Sequence, residues 1–340
     1  MQRCLQLAAM GGGQVAPNPM VGAVLVYGDR IIGEGYHRQY GQAHAEVNCI
    51  NSVAAADKWL ISQSSLYVSL EPCAHFGKTP PCADLIISNN IPVVIIGCRD
   101  SFEKVAGKGI EKLQAANVQV IVGVLENECR ELNKRFFTFH EKQRPWILLK
   151  WAQSSDGKIG GHGSARFKIS NEFTDRLVHQ WRTEEAAILV GTKTALLDDP
   201  ALTARLWPGK NPLRLVIDTD LKLPAHLKLF DNSTGTVVFN YHKASGTGNL
   251  QYHQLQKEEN VLTQIVSALH TMQVQSLMVE GGAATLQSFI DAGLWDEARV
   301  ISNTSLVIGA GVAAPVLKNN IPVAEQKIQN DIIEFSKHKP

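Results

Sequence analysis

Four side chains between positions 44 and 82 have the types and spacing for metal-assisted chemistry. His44 and Glu46 flank a single alanine, Cys73 follows Glu71 and Pro72, and Cys82 completes the group. One imidazole and two thiolates form a three-ligand zinc set, which leaves the fourth tetrahedral position for water. Glu46 lies too close along the chain to His44 to need to be a ligand, and near enough to handle protons on that water. A plainer account is a structural zinc site closed by a fourth ligand, for which His75 is available, or cysteines scattered through a core. The ordered pattern favours catalysis over both.

His-x-Glu followed by Pro-Cys is the signature of zinc-dependent nucleobase deaminases, in which the glutamate is the general acid/base. The loop from His75 to Pro81 is longer than the two residues that usually separate such cysteines. A long loop beside a metal is a natural place for substrate contacts. Lys78 could meet an anionic group there, or be an ordinary solvated lysine.

The elements that must position these residues follow from periodicity and punctuation. Residues 2 to 10 read as a helix stopped by Gly11 to Gly13. The prolines of Ala16-Pro17-Asn18-Pro19 hold the next stretch out of helix. There Asn18 either presents its amide to a ligand or is a turn residue. Val21 to Val26 and Arg30 to Tyr36 form a hairpin, and His37 leaves its second strand. A helix from Glu46 to Ala56 puts His44 at a helix start, where the positive end favours hydroxide. Ser65 to Leu70 is a strand that delivers Cys73, and Cys82 opens the helix Ala83 to Ser88, where the dipole helps hold a thiolate. A strand from Pro92 to Gly97, a helix from Gly109 to Ala116 and a strand from Val118 to Val122 complete a mostly parallel sheet covered by helices. One helix, about Asn127 to His140, leads to Gln143-Arg144-Pro145, the expected domain boundary.

A chain of 340 residues exceeds what one core usually organises, so two domains are expected, 1–143 and 145–340. A net charge of +1 argues against a nucleic-acid partner and for a small substrate. Six cysteines in a chain this long do not form a disulfide framework. The N-terminal apolar run is too short for a secretory leader, and no run approaches a membrane span, so a cytoplasmic protein without membrane partners is expected.

In the second half Trp146 to Trp151 is a strand that carries Lys150 among apolar neighbours. Asn171 caps a helix from Glu172 to Thr183 that bears Arg182. A buried strand from Ala186 to Val190 runs into Gly191-Thr192-Lys193-Thr194, and Asp198-Asp199-Pro200 follows. Strand-to-glycine turns of this kind offer backbone amides to phosphate. Arg182, Arg205 and Arg214 could clamp a phosphate or be solvated charge. Further strands run from Leu213 to Asp218, Gly235 to Asn240 and Ser276 to Val279, with a helix from Leu262 to Met272. The last of these strands ends in Glu280-Gly281-Gly282, another close approach of backbone to a phosphate-bearing ligand. Arg299 to Leu306 is a strand, and Asp331 to Phe335 one more. No Gly-x-Gly-x-x-Gly follows a strand, which argues against a standard Rossmann domain.

Two groups of residues jointly resemble one family, the bifunctional deaminase–reductase of riboflavin biosynthesis. The first is Pro17-Asn18-Pro19-Met20-Val21-Gly22-Ala23, His44-Ala45-Glu46-Val47, Glu71-Pro72-Cys73 and Thr79-Pro80-Pro81-Cys82-Ala83. The second is Lys150, Asp156-Gly157-Lys158, Val190-Gly191, Asp198-Asp199-Pro200 and Glu280-Gly281-Gly282. The resemblance spans about residues 1 to 320. It implies an α/β protein with an N-terminal cytidine-deaminase-like α/β/α domain and a C-terminal dihydrofolate-reductase-like α/β domain. It also implies Zn2+ and NADPH as cofactors and a phosphoribosylaminopyrimidine as substrate.

By position, the resemblance assigns His44, Cys73 and Cys82 to zinc and Glu46 to proton transfer, while Asn18, His37, Lys78 and Asp100 match residues that line the pyrimidine and ribose phosphate. Lys150, Ser170, Asp198 and Glu280 match the reduction site, with Lys150 or Asp198 as proton donor. Arg182 and Arg205 match phosphate contacts; Gly191, Thr194, Gly281 and Gly282 match the NADPH side. This chain departs from the family after Asp100, where Ser101-Phe102 stands in place of Pro-Asn, and at Ser170, where threonine is common. Exposed strand edges in the second domain suggest a homo-oligomer, dimer or tetramer. A nucleoside or tRNA deaminase would leave the second half idle, and a non-catalytic zinc module would give Glu46 no purpose. A deaminase whose reductase-like domain is inactive or serves assembly is the third alternative.

Overall fold

Residues 1–76, 80–102, 105–162 and 167–339 are described by the computed structural model, and they divide into two units, Met1–Gln143 and Arg144–Pro340. The first unit runs α1 (Gln2–Ala9), β1 (Gly22–Tyr27), β2 (Arg30–Tyr36), α2 (Ala45–Asn51), a 3-10 segment (Ala55–Gln63), β3 (Ser65–Leu70) and α3 (Cys82–Ser88). It continues through β4 (Val93–Cys98), α4 (Lys108–Ala115), β5 (Gln119–Val122), α5 (Glu126–Leu132) and α6 (Lys134–Lys142). The sheet order is β2-β1-β3-β4-β5. Strands β3, β4 and β5 pair in parallel, but β1 is antiparallel to both its neighbours. The sheet is therefore only half parallel. The tight turn through Gly28, at φ +56°, forces the hairpin partners to oppose each other. Leu25, Leu66, Val68, Ile86, Val94 and Ile96 form the centre of the core.

Two helices differ from the sequence expectation. Helix α2 stops at Asn51, where the Ser52 hydroxyl donates to the Cys49 carbonyl and accepts the Glu34 N–H from β2. The expected helix from 127 to 140 is two, broken at Asn133. The buried Asn133 amide accepts the Met20 N–H at 2.8 Å and donates to the Met20 carbonyl at 2.8 Å. That exchange ties the α5–α6 junction to the segment carrying Asn18.

The second unit contains β6 (Trp146–Gln153), β7 (Lys158–Gly161), α7 (Glu172–Glu184), β8 (Ala187–Gly191), α8 (Thr192–Asp198), β9 (Leu213–Ile217), β10 (Thr236–Asn240) and β11 (Leu250–Gln254). After these come α9 (Val261–Thr271), β12 (Ser276–Gly281), α10 (Ala283–Asp291), β13 (Glu297–Asn303), β14 (Gly311–Ala313), β15 (Asn320–Ile328) and β16 (Asp331–His338). Its main sheet has the order β11-β10-β9-β8-β12-β6-β13-β16-β15, parallel from β11 to β13 and antiparallel at the last two strands. The central strands are buried on both faces, as their unbroken apolar runs require. Leu149, Leu189, Leu277 and Val279 point to one core, while Leu148, Ile188, Val190 and Met278 point to the other, with Val178 and Trp181 of α7.

Arg214 is not a phosphate ligand. It is fully buried and donates to Thr236 Oγ1, the Lys228 and Thr234 carbonyls and Asp231. Among the described residues no helix is long and apolar enough to cross a membrane.

Replacing Asn133 by Leu strands both backbone groups of Met20. The expected cost is about 1–3 kcal/mol, read as a lower urea midpoint for the first unit; an unmoved midpoint would show that the junction does not depend on this amide.

Candidate active sites

In the first unit three donors converge. His44 is the N-cap of α2, Cys73 follows the end of β3, and Cys82 is the first residue of α3. His44 Nδ1, Cys73 Sγ and Cys82 Sγ all lie within 4.8 Å of one another, with His44 Nδ1 at 3.6 Å from Cys73 and 3.3 Å from Cys82. A tetrahedral zinc ion with ordinary Zn–S and Zn–N bonds would set such donors about 3.6–3.8 Å apart, so the set fits that ion. No further His, Cys, Asp or Glu among the described residues joins the group. His75 stands outside it, its Nδ1 buried without a hydrogen-bond partner.

The electrostatics suit a ligand set. The Cys82 thiol, and then His44, hold the Cys73 thiol down to about 4. Hydrogen bonding to Cys73 pushes His44 up. Glu46 is buried, and burial followed by the nearby Cys73 charge raises its pKa, which favours a carboxyl group able to carry a proton. His37 lies at 5.4 Å from His44, ring to ring. Its Nδ1 meets the Ala43 carbonyl at 3.1 Å, so Nδ1 carries the proton and Nε2 accepts from Asn18 Nδ2 at 3.1 Å. Burial pushes the His37 pKa down, in keeping with a neutral ring. Asn18, His37 and His44 thus stand in one row. Lys78 lies outside the described residues.

The sequence reading quoted Glu71 without giving it a role. Its buried carboxylate accepts the N–H groups of Asp100, Gly107, Gly109 and Ile110, at 3.0 to 3.4 Å. It therefore pins the start of α4 and the Asp100 loop beside the Pro72-Cys73 turn. A Cβ at Gly109 would collide with the Pro72 carbonyl, which is why glycine stands there. The signal was in the sequence: a carboxylate directly before the Pro-Cys ligand. Burial raises Asp100 to about 7, and its carboxylate accepts the Phe102 N–H at 2.7 Å. The Phe102 ring packs at 6.2 Å from His75 and 5.0 Å from His140, so an aromatic wall stands beside the Asp100 loop.

In the second unit, strand register assembles the site. Val279 pairs with Leu149, which sets Glu280 beside Lys150 on the face covered by α7. Helix α7 carries Asp175, His179 and Arg182 at i, i+4 and i+7, one face of the helix. Arg182 grips Glu280 with two hydrogen bonds, 2.8 and 2.7 Å, and donates to the Thr203 carbonyl at 2.9 Å. A phosphate was the expected partner of Arg182; the structure gives it Glu280. Against the upward push of burial, Arg182 and then Lys150 bring Glu280 to about 2. Burial lowers the Lys150 pKa and the Glu280 charge opposes that fall. Burial, then Arg182 and Arg205, press His179 down to about 4. Arg205 itself is exposed, next to Leu206, whose N–H meets His179 Nδ1 at 3.4 Å. Ser170 donates to Asp175 at 2.6 Å. Asp198 closes α8 on an exposed face.

Gly191 and Gly282 begin α8 and α10 at the ends of β8 and β12, and neither helix has a side-chain cap. Their free N–H groups suit a phosphate-bearing cofactor. Gly281 sits at φ +150°, and Thr194 Oγ1 would lie 2.8 Å from a Cβ at Gly282, so the glycines let α8 and α10 begin in contact. Beside them Ile217, Asn260, Leu262, Ala284, Thr285 and Ser288 line a cavity of about 570 Å³. The residues present fit a dinucleotide.

Fold and sites together define a zinc deaminase joined in one chain to a pyridine-nucleotide reductase, a cytidine-deaminase-like unit followed by a dihydrofolate-reductase-like one. Residues 1–98 match the cytidine and deoxycytidylate deaminase zinc-binding region, and residues 145–330 match the RibD C-terminal domain. A riboflavin biosynthesis protein RibD of Aquifex aeolicus is 38% identical, covering 99% of this chain and 97% of its own length. The RibD protein of Bacillus amyloliquefaciens is 37% identical over 93% of this chain and 86% of its own. Among solved structures, the Thermotoga maritima diaminohydroxyphosphoribosylaminopyrimidine deaminase/5-amino-6-(5-phosphoribosylamino)uracil reductase superposes with a TM-score of 0.89 at 34% identity, covering 99% of this chain and 97% of that one. Acinetobacter baumannii RibD gives 0.90 at 27% identity, over 100% and 98%. The chain belongs to the RibD family, the bifunctional deaminase/reductases of riboflavin biosynthesis, whose cofactors are zinc and NADPH.

Glu280 supplies an acid-sensitive share of stability. Its folded-state pKa lies below the ordinary 4.5, at about 2, so its contribution is present above about pH 4.5 and lost as the pH falls toward 2. Thermal unfolding of the second unit across that window should fall less steeply in Glu280→Gln than in the natural protein; equal slopes would show that the pair does not set the acid limb.

Proposed function

We propose that the two units act in sequence on one pyrimidine, with 1–143 the deaminase domain and 145–340 the reductase domain. The substrate is 2,5-diamino-6-(5-phosphoribosylamino)pyrimidin-4-one, which loses the amino group at ring C2 as ammonia, and whose ribosyl group is then reduced to ribityl. The observation that carries this reading is the convergence of His44, Cys73 and Cys82 with the buried Glu46 beside them. When bound to those three residues, zinc supplies Lewis acidity and an activated water at neutral pH. Glu46 takes a proton as the amino-bearing carbon is attacked and returns it to the departing nitrogen. Asn18 and His37 line the pyrimidine. Asp100 lines it from its own loop, its backbone N–H held by Glu71 and its carboxylate by the Phe102 N–H. Lys78 belongs to the same pocket.

In the reductase, NADPH supplies the hydride, held at Gly191, Thr194, Gly281 and Gly282. Ring opening would break the C1′–O4′ bond and leave a C1′=N imine, so a proton must reach O4′ as it becomes a hydroxyl, and hydride added to C1′ would send the imine electron pair to nitrogen. Lys150 suits the proton transfer better than Asp198, because the strand register sets it beside Glu280 inside the site, whereas Asp198 closes α8 on an exposed face. Glu280 and Ser170 line the substrate, and Arg205, exposed at the rim, meets its phosphate. Arg182 acts by fixing Glu280. The protein works in the cytoplasm on a small molecule without nucleic acid, as a homo-oligomer. A single monomeric species in sedimentation at micromolar concentration would exclude that assembly.

With zinc-loaded protein, ammonia release should be followed by NADPH oxidation in equal amount. Glu46→Gln should retain zinc yet lose deamination by about 10²-fold or more, while reduction of the deaminated substrate continues. Loss of zinc as well would make Glu46 a ligand.

A further inference from the structure

One carboxylate at the reductase site has no role so far. Asp175 lies in the first turn of α7, on the face that also presents His179 and Arg182. The Ser170 hydroxyl lies 2.6 Å from Asp175 Oδ1, and Lys168 Nζ lies 3.4 Å from Oδ2. An ionised carboxylate only accepts hydrogen bonds, so the serine must donate, and its single proton is committed. What Ser170 can offer a ligand is its lone pairs. The backbone leaves it little freedom to turn away, because the next residue, Asn171, caps α7 through the N–H groups of Phe173 and Thr174 while its own N–H is held by Asp331 at 2.8 Å. Arg182, on that same face, grips Glu280, so Asp175 lies on the side of α7 that faces Glu280.

We propose that Asp175 is a positioning residue of the reductase, one that fixes Ser170 as an obligate hydrogen-bond acceptor so that it reads a donor group of the substrate, a sugar hydroxyl or a base N–H, and never the phosphate. This inference rests on the reductase assignment above. It separates two tasks within one site: Arg205 meets the anion and the Asp175–Ser170 pair selects the polar body of the molecule. It also explains how serine serves where threonine is common, since either hydroxyl can be turned by the same carboxylate.

The test uses the full chain, zinc-loaded, with NADPH and the deaminated phosphoribosylaminouracil. Ser170→Ala and Asp175→Ala should each raise KM for that substrate by about tenfold, the scale of one hydrogen bond involving a charged group. KM for NADPH and the deaminase rate should not move. The double variant should be no worse than either single one, because the two residues act as a unit. Ser170→Thr should behave like the natural protein, and Asp175→Asn, which keeps an acceptor oxygen of the same size, should lose less than Asp175→Ala. Inhibition of the reductase by inorganic phosphate should be the same in Ser170→Ala as in the natural protein. Additive losses, or a loss confined to NADPH binding, would overturn the proposal, and so would weakened phosphate inhibition in Ser170→Ala. A natural protein that oxidises no NADPH sinks the reductase reading and this proposal with it; normal turnover with an unmoved Asp175→Ala sinks the proposal alone.

Discussion

Parallel strand pairing is the constraint on which both sites depend. Strands that run the same way end at the same edge, so the residues just past their ends meet whatever their separation along the chain. In the first unit Leu70 pairs with Cys98, which brings the Cys73 turn beside the Asp100 loop. Glu71 then crosses between them and takes the amides at the start of α4. In the second unit the register of β12, β6 and β13 sets Glu280, Lys150 and Arg299 abreast. A slip of one residue in β6 would turn Lys150 into the core that Leu149 now fills and bring an apolar side chain to Glu280. The strand ladder that fixes this register is therefore part of what builds the site.

The two sites handle buried charge differently. Near His44 the polar groups are those a divalent cation would compensate, and they lean on one another: a depressed Cys73 thiol, a raised His44 and a raised Glu46. The reductase site contains its own counter-ions. Arg182 spends its fork on Glu280, and this leaves Glu280 ionised next to Lys150. Taking such a pair out of water costs about as much as the attraction returns, so its worth lies in arrangement more than in stability. An arginine already held by a carboxylate is a poor phosphate clamp, and the exposed Arg205 is better placed for that task.

The zinc site was legible because its chemistry is compressed into local motifs: His-x-Glu, Pro-Cys and a second cysteine at a helix start. The parallel core strands were legible for a similar reason, as apolar runs bounded by Gly and Pro. What escaped depends on distance. Arg182 and Arg214 look alike in sequence, yet one meets Glu280 across 98 positions and the other disappears beneath β10. Nothing local separates a ligand arginine from a structural one. Strand β15 was missed because nearly all of it is exposed and it lacks an apolar face to announce it. Strand β11, at the other edge of the sheet, is only partly buried and reads as polar. The break at Asn133 escaped because its cause is the backbone of Met20, more than a hundred residues earlier.

The departure after Asp100 looks at first like a lost substrate contact. The geometry argues for replacement of a different kind. Phe102 joins His75, His140 and, through His140, Phe136 in one aromatic cluster. Its N–H still holds the Asp100 carboxylate, a contact that depends on backbone and not on side chain. Burial is the leading cause of the raised Asp100 pKa. The substitution therefore exchanges a polar side chain for aromatic packing, while the backbone hold on the Asp100 carboxylate stays in place.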